Sequence, residues 1–259
     1  MYARYVAIGD SQTEGVGDGD DHSGLRGWAD RLAARLAALN PDFRYANLAV
    51  RGKLIDQVHA EQLQPALELE PDLVTVVAGL NDMLRSECDG EAIAARLEQM
   101  ISALTEAGAR VVTVTYPDIG QVAPMARRWQ PRITEFNTRV REIAAKHGTA
   151  LVEVDLHPVC ADRRIWSTDR LHLNSDGHAL LAAATASALE LPDSDTSWSE
   201  PLPTRPEPGF LRSAWEEVRW AAVFLVPWVW RRLTGRSSGD GRTAKRPQLA
   251  PLSQPTTSR

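Results

Sequence analysis

Five short apolar runs punctuate the chain up to Val154: Tyr5–Ile8, Phe43–Val50, Leu73–Ala78, Arg110–Tyr116 and Leu151–Val154. Leu73–Ala78 (LVTVVA) is an unbroken, largely β-branched run, the pattern of a strand covered on both faces. Between the runs, apolar residues recur at helical spacing. Trp28–Leu39 (WADRLAARLAAL) is stopped by Asn40-Pro41, and Lys53–Leu69 carries Leu54, Ile55, Val58 and Leu63 with a break expected at Pro65. Glu91–Ala107 closes at Gly108, Pro131–Lys146 closes at Gly148, and Asp176–Leu189 is the last of the series. Gly just past a periodic segment is a helix stop. Strands alternating with helices predict an α/β protein, a three-layer α/β/α sandwich around a five-stranded parallel sheet, occupying residues 1–190.

An open parallel sheet binds ligands at the carboxyl ends of its strands. The residues found there are Asp10-Ser11 after the first run, Gly52 after the second, Asn81-Asp82 after the third, and a loop with Asp169 and His172 after the fifth. Ser11 has two readings: an N-cap for the helix that follows, or a nucleophile exposed where strand turns into helix. In the second, His172 is the base that takes the serine proton, and Asp169, three residues earlier, orients the other ring nitrogen. The N–H groups of Ser11 and Gly52 and the side-chain amide of Asn81 are then three donors for a tetrahedral oxyanion. Asp10 and Asp82 read as bracing residues. His178, in SDGH at the start of the last helix, reads as structural. The acids Asp18, Asp20 and Asp21 lie in a Gly-rich loop without the frame of a calcium site.

GDSQTEG near the N-terminus, the glycine after the second strand, GLND after the third and DRLHLN further on resemble, in this order, the SGNH/GDSL hydrolase superfamily. The resemblance covers about residues 4–190, and it departs from the GDSL tetrapeptide only in Gln12. It implies a flavodoxin-like sandwich and metal-free hydrolysis of esters or thioesters, with Ser11, Asp169 and His172 as triad and Ser11, Gly52 and Asn81 as oxyanion hole. The expected activity is a serine esterase acting on short-chain or carbohydrate O-acyl esters. The alternatives are an acyl-thioesterase or lysophospholipase, or a non-catalytic binding module localised by the C-terminal segment.

Composition adds bounds. Of 259 residues, 43% are hydrophobic and 24% charged, enough for one sizeable core. Two cysteines, Cys88 and Cys160, make neither a disulfide framework nor a metal motif. The first strand begins almost at Met1, with no basic-then-apolar leader, so the expectation is a cytoplasmic protein that needs no cofactor or metal and takes a small-molecule ester. The net charge of −5 divides into a tail from Arg231 at +6 and a remainder at −11. Nucleic-acid binding has no support in that distribution. Segment 117–129 (with Met125, Arg127, Arg128 and Trp129) and Trp166 are candidates to border the acyl pocket.

Beyond residue 190 the character changes. Residues 191–209 have a linker composition. Residues 210–234 hold four tryptophans in an amphipathic helical pattern, with an apolar run too short to span a bilayer. That segment is expected to pack on the domain or a second copy, or to lie on a membrane surface. Residues 235–259 are expected to be a basic, disordered tail.

Overall fold

The computed structural model describes residues 1–204, 215, 218–227, 230, 234 and 237–252. All five expected strands form: β1 (Arg4–Gly9), β2 (Arg44–Asn47), β3 (Leu73–Val77), β4 (Arg110–Val114) and β5 (Ala150–Val152). They pair in parallel in the order β5-β4-β3-β1-β2. β3 is buried at every position, as its β-branched run requires. Each fully buried Val or Leu there contributes about 1.5–3 kcal/mol.

The helices lie on both sides of the sheet. After the single turn α1 (Ser11–Glu14) comes α2 (Trp28–Leu39), followed by a helical rod α3 made of Ile55–Val58, a π-helical stretch His59–Leu63, and Gln64–Glu68. The wider π turn lies directly before Pro65, whose missing N–H and ring disfavour a regular α turn. The expected break is thus an accommodation rather than an end. Next are α4 (Leu80–Met83), α5 (Gly90–Glu106), α6 (Gln130–His147) and α7 (Ser175–Ala188). α2 packs against α7, and α5 against α6. Segment 117–129, irregular by its sequence, folds into a helical turn at Ile119–Val122 and a 3-10 stretch at Pro124–Trp129.

The sheet has a sixth strand, and it corrects the expectation of a disordered tail. β6 (Arg246–Ala250) pairs antiparallel with β2, setting Tyr45 against Ala250 and Asn47 against Arg246. It covers an edge whose N–H and C=O groups would otherwise lack partners, and its Pro247 is tolerated because the strand is itself at the edge. Electrostatics helps to hold it. Lys245 Nζ donates to the Glu14 and Leu25 carbonyls and to the Asp30 carboxylate, and Arg242 pairs with Asp21 at 2.7 Å. The basic tail is bound to the acidic body, a long-range match that composition alone does not reveal. The rest of the tail, 235–236 and 253–259, lies outside the described residues.

Part of the expected linker is also packed. Trp198 meets His157 edge-on with centroids 4.5 Å apart, and Arg164 donates to the Leu202 and Pro203 carbonyls. Residues 205–209, and much of the expected amphipathic segment 210–234, lie outside the described residues. Within that segment, residues 218–227 are helical, with a π turn over Ala221–Leu225. No helix among the described residues is long and apolar enough to cross a membrane.

Candidate active site

The end of β1 sets the first half of the site. Gly9 has φ +150°, and a Cβ there would lie 2.2 Å from the Val77 carbonyl oxygen, so only glycine lets β1 and β3 close together at this point. Gln62, from α3, holds Gly9 at both of its backbone groups. Its Oε1 accepts from Gly9 N–H at 2.8 Å and its Nε2 donates to Gly9 C=O at 2.9 Å. Asp10, not Ser11, is the N-cap of α1, its Oδ1 accepting from Gln12 N–H. Ser11 therefore stands in the first turn of the helix. Its N–H and its hydroxyl have no hydrogen-bond partner among the described residues.

Gly52 and Asn81 come to the same place. Asn81 Nδ2 donates to Asp10 Oδ2 at 3.1 Å and to the Lys53 carbonyl at 3.0 Å, so this one amide ties the end of β1 to the turn after β2. Arg51 pairs with Glu14 of α1 at 2.7 Å, and its own N–H donates to Glu14 Oε2 at 2.6 Å. Gly52 has φ +76°, and its N–H has no partner among the described residues. The close approach that favours glycine here comes from within the chain: a Cβ would lie 2.3 Å from the Ser237 hydroxyl. Asp82 braces the start of α3, accepting from Ile55 N–H. Burial pushes the Asp10 carboxyl up to about 7 and the Asp82 carboxyl up to about 6.

The acid–base half sits on the loop before α7. His172 Nδ1 and Asp169 Oδ2 are 2.7 Å apart. The other oxygen, Asp169 Oδ1, accepts from the Ser167 hydroxyl and from the N–H groups of Leu171 and His172. Burial by itself would raise the Asp169 carboxyl. The His172 hydrogen bond and charge, with the Ser167 and backbone donors, outweigh it and hold the group well below the usual carboxylate range. Asp169 is thus an anion that can stabilise an imidazolium. His172 and Ser11 make no hydrogen bond with each other among the described residues. Their segments are clamped through Gln12, whose Nε2 donates to Leu171 C=O at 2.8 Å and whose Oε1 accepts from Leu173 N–H at 3.4 Å.

His178 is placed as its sequence setting suggests. Its Nδ1 accepts from Trp28 N–H, its Nε2 lies 3.1 Å from the Val16 carbonyl, and burial pushes the ring down to about 4. It is a neutral crosslink between α7, α2 and the turn after α1. The acids of the Gly-rich loop diverge: Asp18 pairs with Arg31, Asp21 with Arg51 and Arg242, and Asp20 caps a local turn. No group of three or more His, Cys, Asp or Glu that could hold a metal occurs among the described residues.

A model of the GDSL-like Lipase/Acylhydrolase family matches residues 7–180. The chain belongs to this family. No curated protein matches. Among solved structures, the chain is similar to LAE5, an alpha/beta hydrolase from the metagenome of Lake Arreo, with 23% identity, a TM-score of 0.60, and 73% of this chain and 95% of that one covered. Axe2, an acetylxylan esterase from Geobacillus stearothermophilus, follows at 19% identity and TM-score 0.59, covering 76% and 96%. TesA is 25% identical with a TM-score of 0.60, covering 72% and 98%. The first two likenesses are likenesses of fold.

Within this GDSL-like acylhydrolase, the one departure from the GDSL tetrapeptide has a structural use: Gln12 is the clamp described above. Gln12, Gln62 and the Glu14–Arg51 pair are site residues the sequence did not single out, because their partners lie 37 to 161 positions away. A cavity of about 160 Å3 opens beside His172. Ile119, Met125, Arg128, Trp129 and Trp166 line it, and so do Trp220 and Phe224 from the C-terminal segment.

Proposed function

We propose that this GDSL-like hydrolase is a serine esterase that cleaves short-chain carboxylic esters through an acyl-enzyme on Ser11. The observation that carries the proposal is the 2.7 Å link from Asp169 to His172 Nδ1, on a loop that Gln12 clamps to the turn bearing Ser11. In the first step Ser11 Oγ attacks the ester carbonyl carbon and its proton passes to His172 Nε2. The carbonyl oxygen becomes an oxyanion facing the N–H groups of Ser11 and Gly52 and the Asn81 amide. The tetrahedral centre collapses, the C–O bond to the alcohol breaks, and His172 returns the proton to the leaving alkoxide. Water, deprotonated by His172, then releases the acid and restores Ser11.

Asn81 needs a small rearrangement for this role. Both its amide hydrogens are already engaged, by Asp10 and Lys53, so the oxyanion has to share one of them. The cavity supports the ester class: an apolar space of ~150 Å3 holds a benzene-sized group, so about 160 Å3 suits an acyl chain of about six carbons or fewer. Acetylated saccharides, the substrate class in the name of Axe2, fall within that limit. The test is hydrolysis of p-nitrophenyl esters of graded length by wild type and Ser11→Ala, with fluorophosphonate labelling alongside. Turnover and labelling by wild type alone are expected. Equal turnover by both proteins would refute Ser11 as nucleophile.

A further inference from the structure

The C-terminal segment reaches the candidate site at two points. On the acid–base side, Trp220 Nε1 donates to the backbone carbonyl of Asp169 at 3.0 Å, and the Arg170 guanidinium lies over the Trp220 ring at 4.6 Å. On the oxyanion side, the Ser237 hydroxyl sits against Gly52, and a Cβ on Gly239 would lie 2.0 Å from the Arg51 carbonyl oxygen. β6 holds the following residues on the sheet edge beside β2, the strand that leads to Gly52.

Trp220 and Phe224 are four residues apart, so their side chains share one face of their helix. Both line the 160 Å3 cavity beside His172, whereas Val223, between them, is exposed. The other walls belong to the hydrolase domain: Leu80 after β3, Ile119 after β4, and Trp166 on the way to the acid–base loop.

We propose that Trp220 and Phe224 are specificity-determining residues, closing the outer wall of the acyl pocket and setting the length of acyl chain the enzyme accepts. The inference rests on the esterase reading and deepens it. Trp220 is the fixed post, held to the loop of the catalytic acid by its indole N–H. Phe224 carries no polar anchor and is the adjustable stop. Both side chains share the cavity with His172, so they bound the space that a chain entering beside His172 fills. The wall's volume therefore limits length, not reactivity toward short esters.

Two variants of the full-length protein test the proposal by moving the wall in opposite directions. Phe224→Ala opens it, and kcat/KM for the decanoyl p-nitrophenyl ester relative to the butyryl ester is expected to rise at least tenfold. Phe224→Trp fills it, and the same ratio is expected to fall, with the optimum moving toward acetyl. Melting temperatures within a few degrees of wild type confirm that both variants fold. Identical chain-length profiles in all three proteins would overturn the proposal while leaving the esterase intact. Inertness of wild type toward every ester and toward fluorophosphonate would instead refute the esterase reading, and a readout without turnover then decides. Decanoate binding followed by calorimetry should tighten at least tenfold in Phe224→Ala relative to wild type, and equal binding by the two proteins, or none by either, counts against the wall.

Discussion

The two halves of the candidate site are built on different principles. The turn after β1 is fixed at its own backbone groups: Gly9 packs against the Val77 carbonyl, the Gln62 amide holds both the N–H and the C=O of Gly9, and the Asp10 carboxylate caps α1. The loop with Asp169 and His172 is gathered around a single carboxylate instead. Asp169 accepts from Ser167, Leu171 and His172, and Trp220 holds the Asp169 peptide from outside the domain. The first half is an extension of the sheet core and leaves little to adjust. The second is a loop whose position depends on one carboxylate and on a distant segment of chain. In the proposed mechanism the nucleophile needs a rigid seat, while the group that shuttles its proton has to follow the reaction from attack to release.

The sharpest break falls on the rigid half. Ser11→Ala keeps the backbone of the turn and removes only the hydroxyl, so stability should hold while kcat falls about a million-fold, the scale for loss of a triad nucleophile. A loss of less than about a hundredfold would assign the nucleophile elsewhere. On the adjustable half, Asp169→Asn leaves the loop shape nearly intact but offers His172 an amide in place of an anion. About ten thousand-fold in kcat is expected, the scale of the corresponding acid-to-amide change in a triad. Measured beside Ser11→Ala, it should still label slowly with fluorophosphonate, since its serine remains.

Gln12 ties the halves together, and Gln12→Leu would restore the family tetrapeptide while cutting the tie. The Leu171 carbonyl and Leu173 N–H would lose their partner, and an unsatisfied buried group costs roughly 1–3 kcal/mol. A drop in kcat of about tenfold with little change in KM is expected if the clamp aligns His172 with Ser11. An unchanged kcat with a lowered melting temperature would make Gln12 structural only.

What was legible in the sequence follows the same division. The five parallel strands, the helices between them and the residues at the strand ends were readable, because each depends on local periodicity and on a turn residue beside it. Pro65 was readable as a disturbance but not as a π turn, since its outcome depends on how the rod packs. The sixth strand was not readable. Arg246–Ala250 (RPQLA) has no alternating apolar pattern and no β-branched residue, and its order depends on Lys245 reaching Asp30 and on a free edge at β2, both remote in sequence. For the same reason Gln62 and Trp220 were missed: each acts on a backbone group at least 51 residues away. In the candidate site, local patterns indicated the groups proposed to react, and long-range contacts supplied what holds them.

His178 is the second tie, and its test is the smallest in effect and the most dependent on sign. Its ring crosslinks α7 to Trp28 and Val16 as a neutral group, with burial holding it at about 4 against an ordinary value of ~6.5. The folded state therefore resists a proton that the unfolded state accepts as pH falls below ~6.5. The stability supplied by the neutral ring is complete above that value and is lost on acidification, by ~3 kcal/mol at about pH 4. Asp10 and Asp82, pushed up by burial, run the other way over part of the same range, because the folded protein holds their protons more tightly. Those two groups are common to wild type and His178→Gln, so they cancel in the difference between the two proteins. The melting-temperature advantage of wild type over His178→Gln should shrink by about 6–12 °C between about pH 7 and pH 4. A difference that stays constant over that interval would mean the buried ring takes up its proton without opening the crosslink, and the tie between the halves would rest on Gln12 alone.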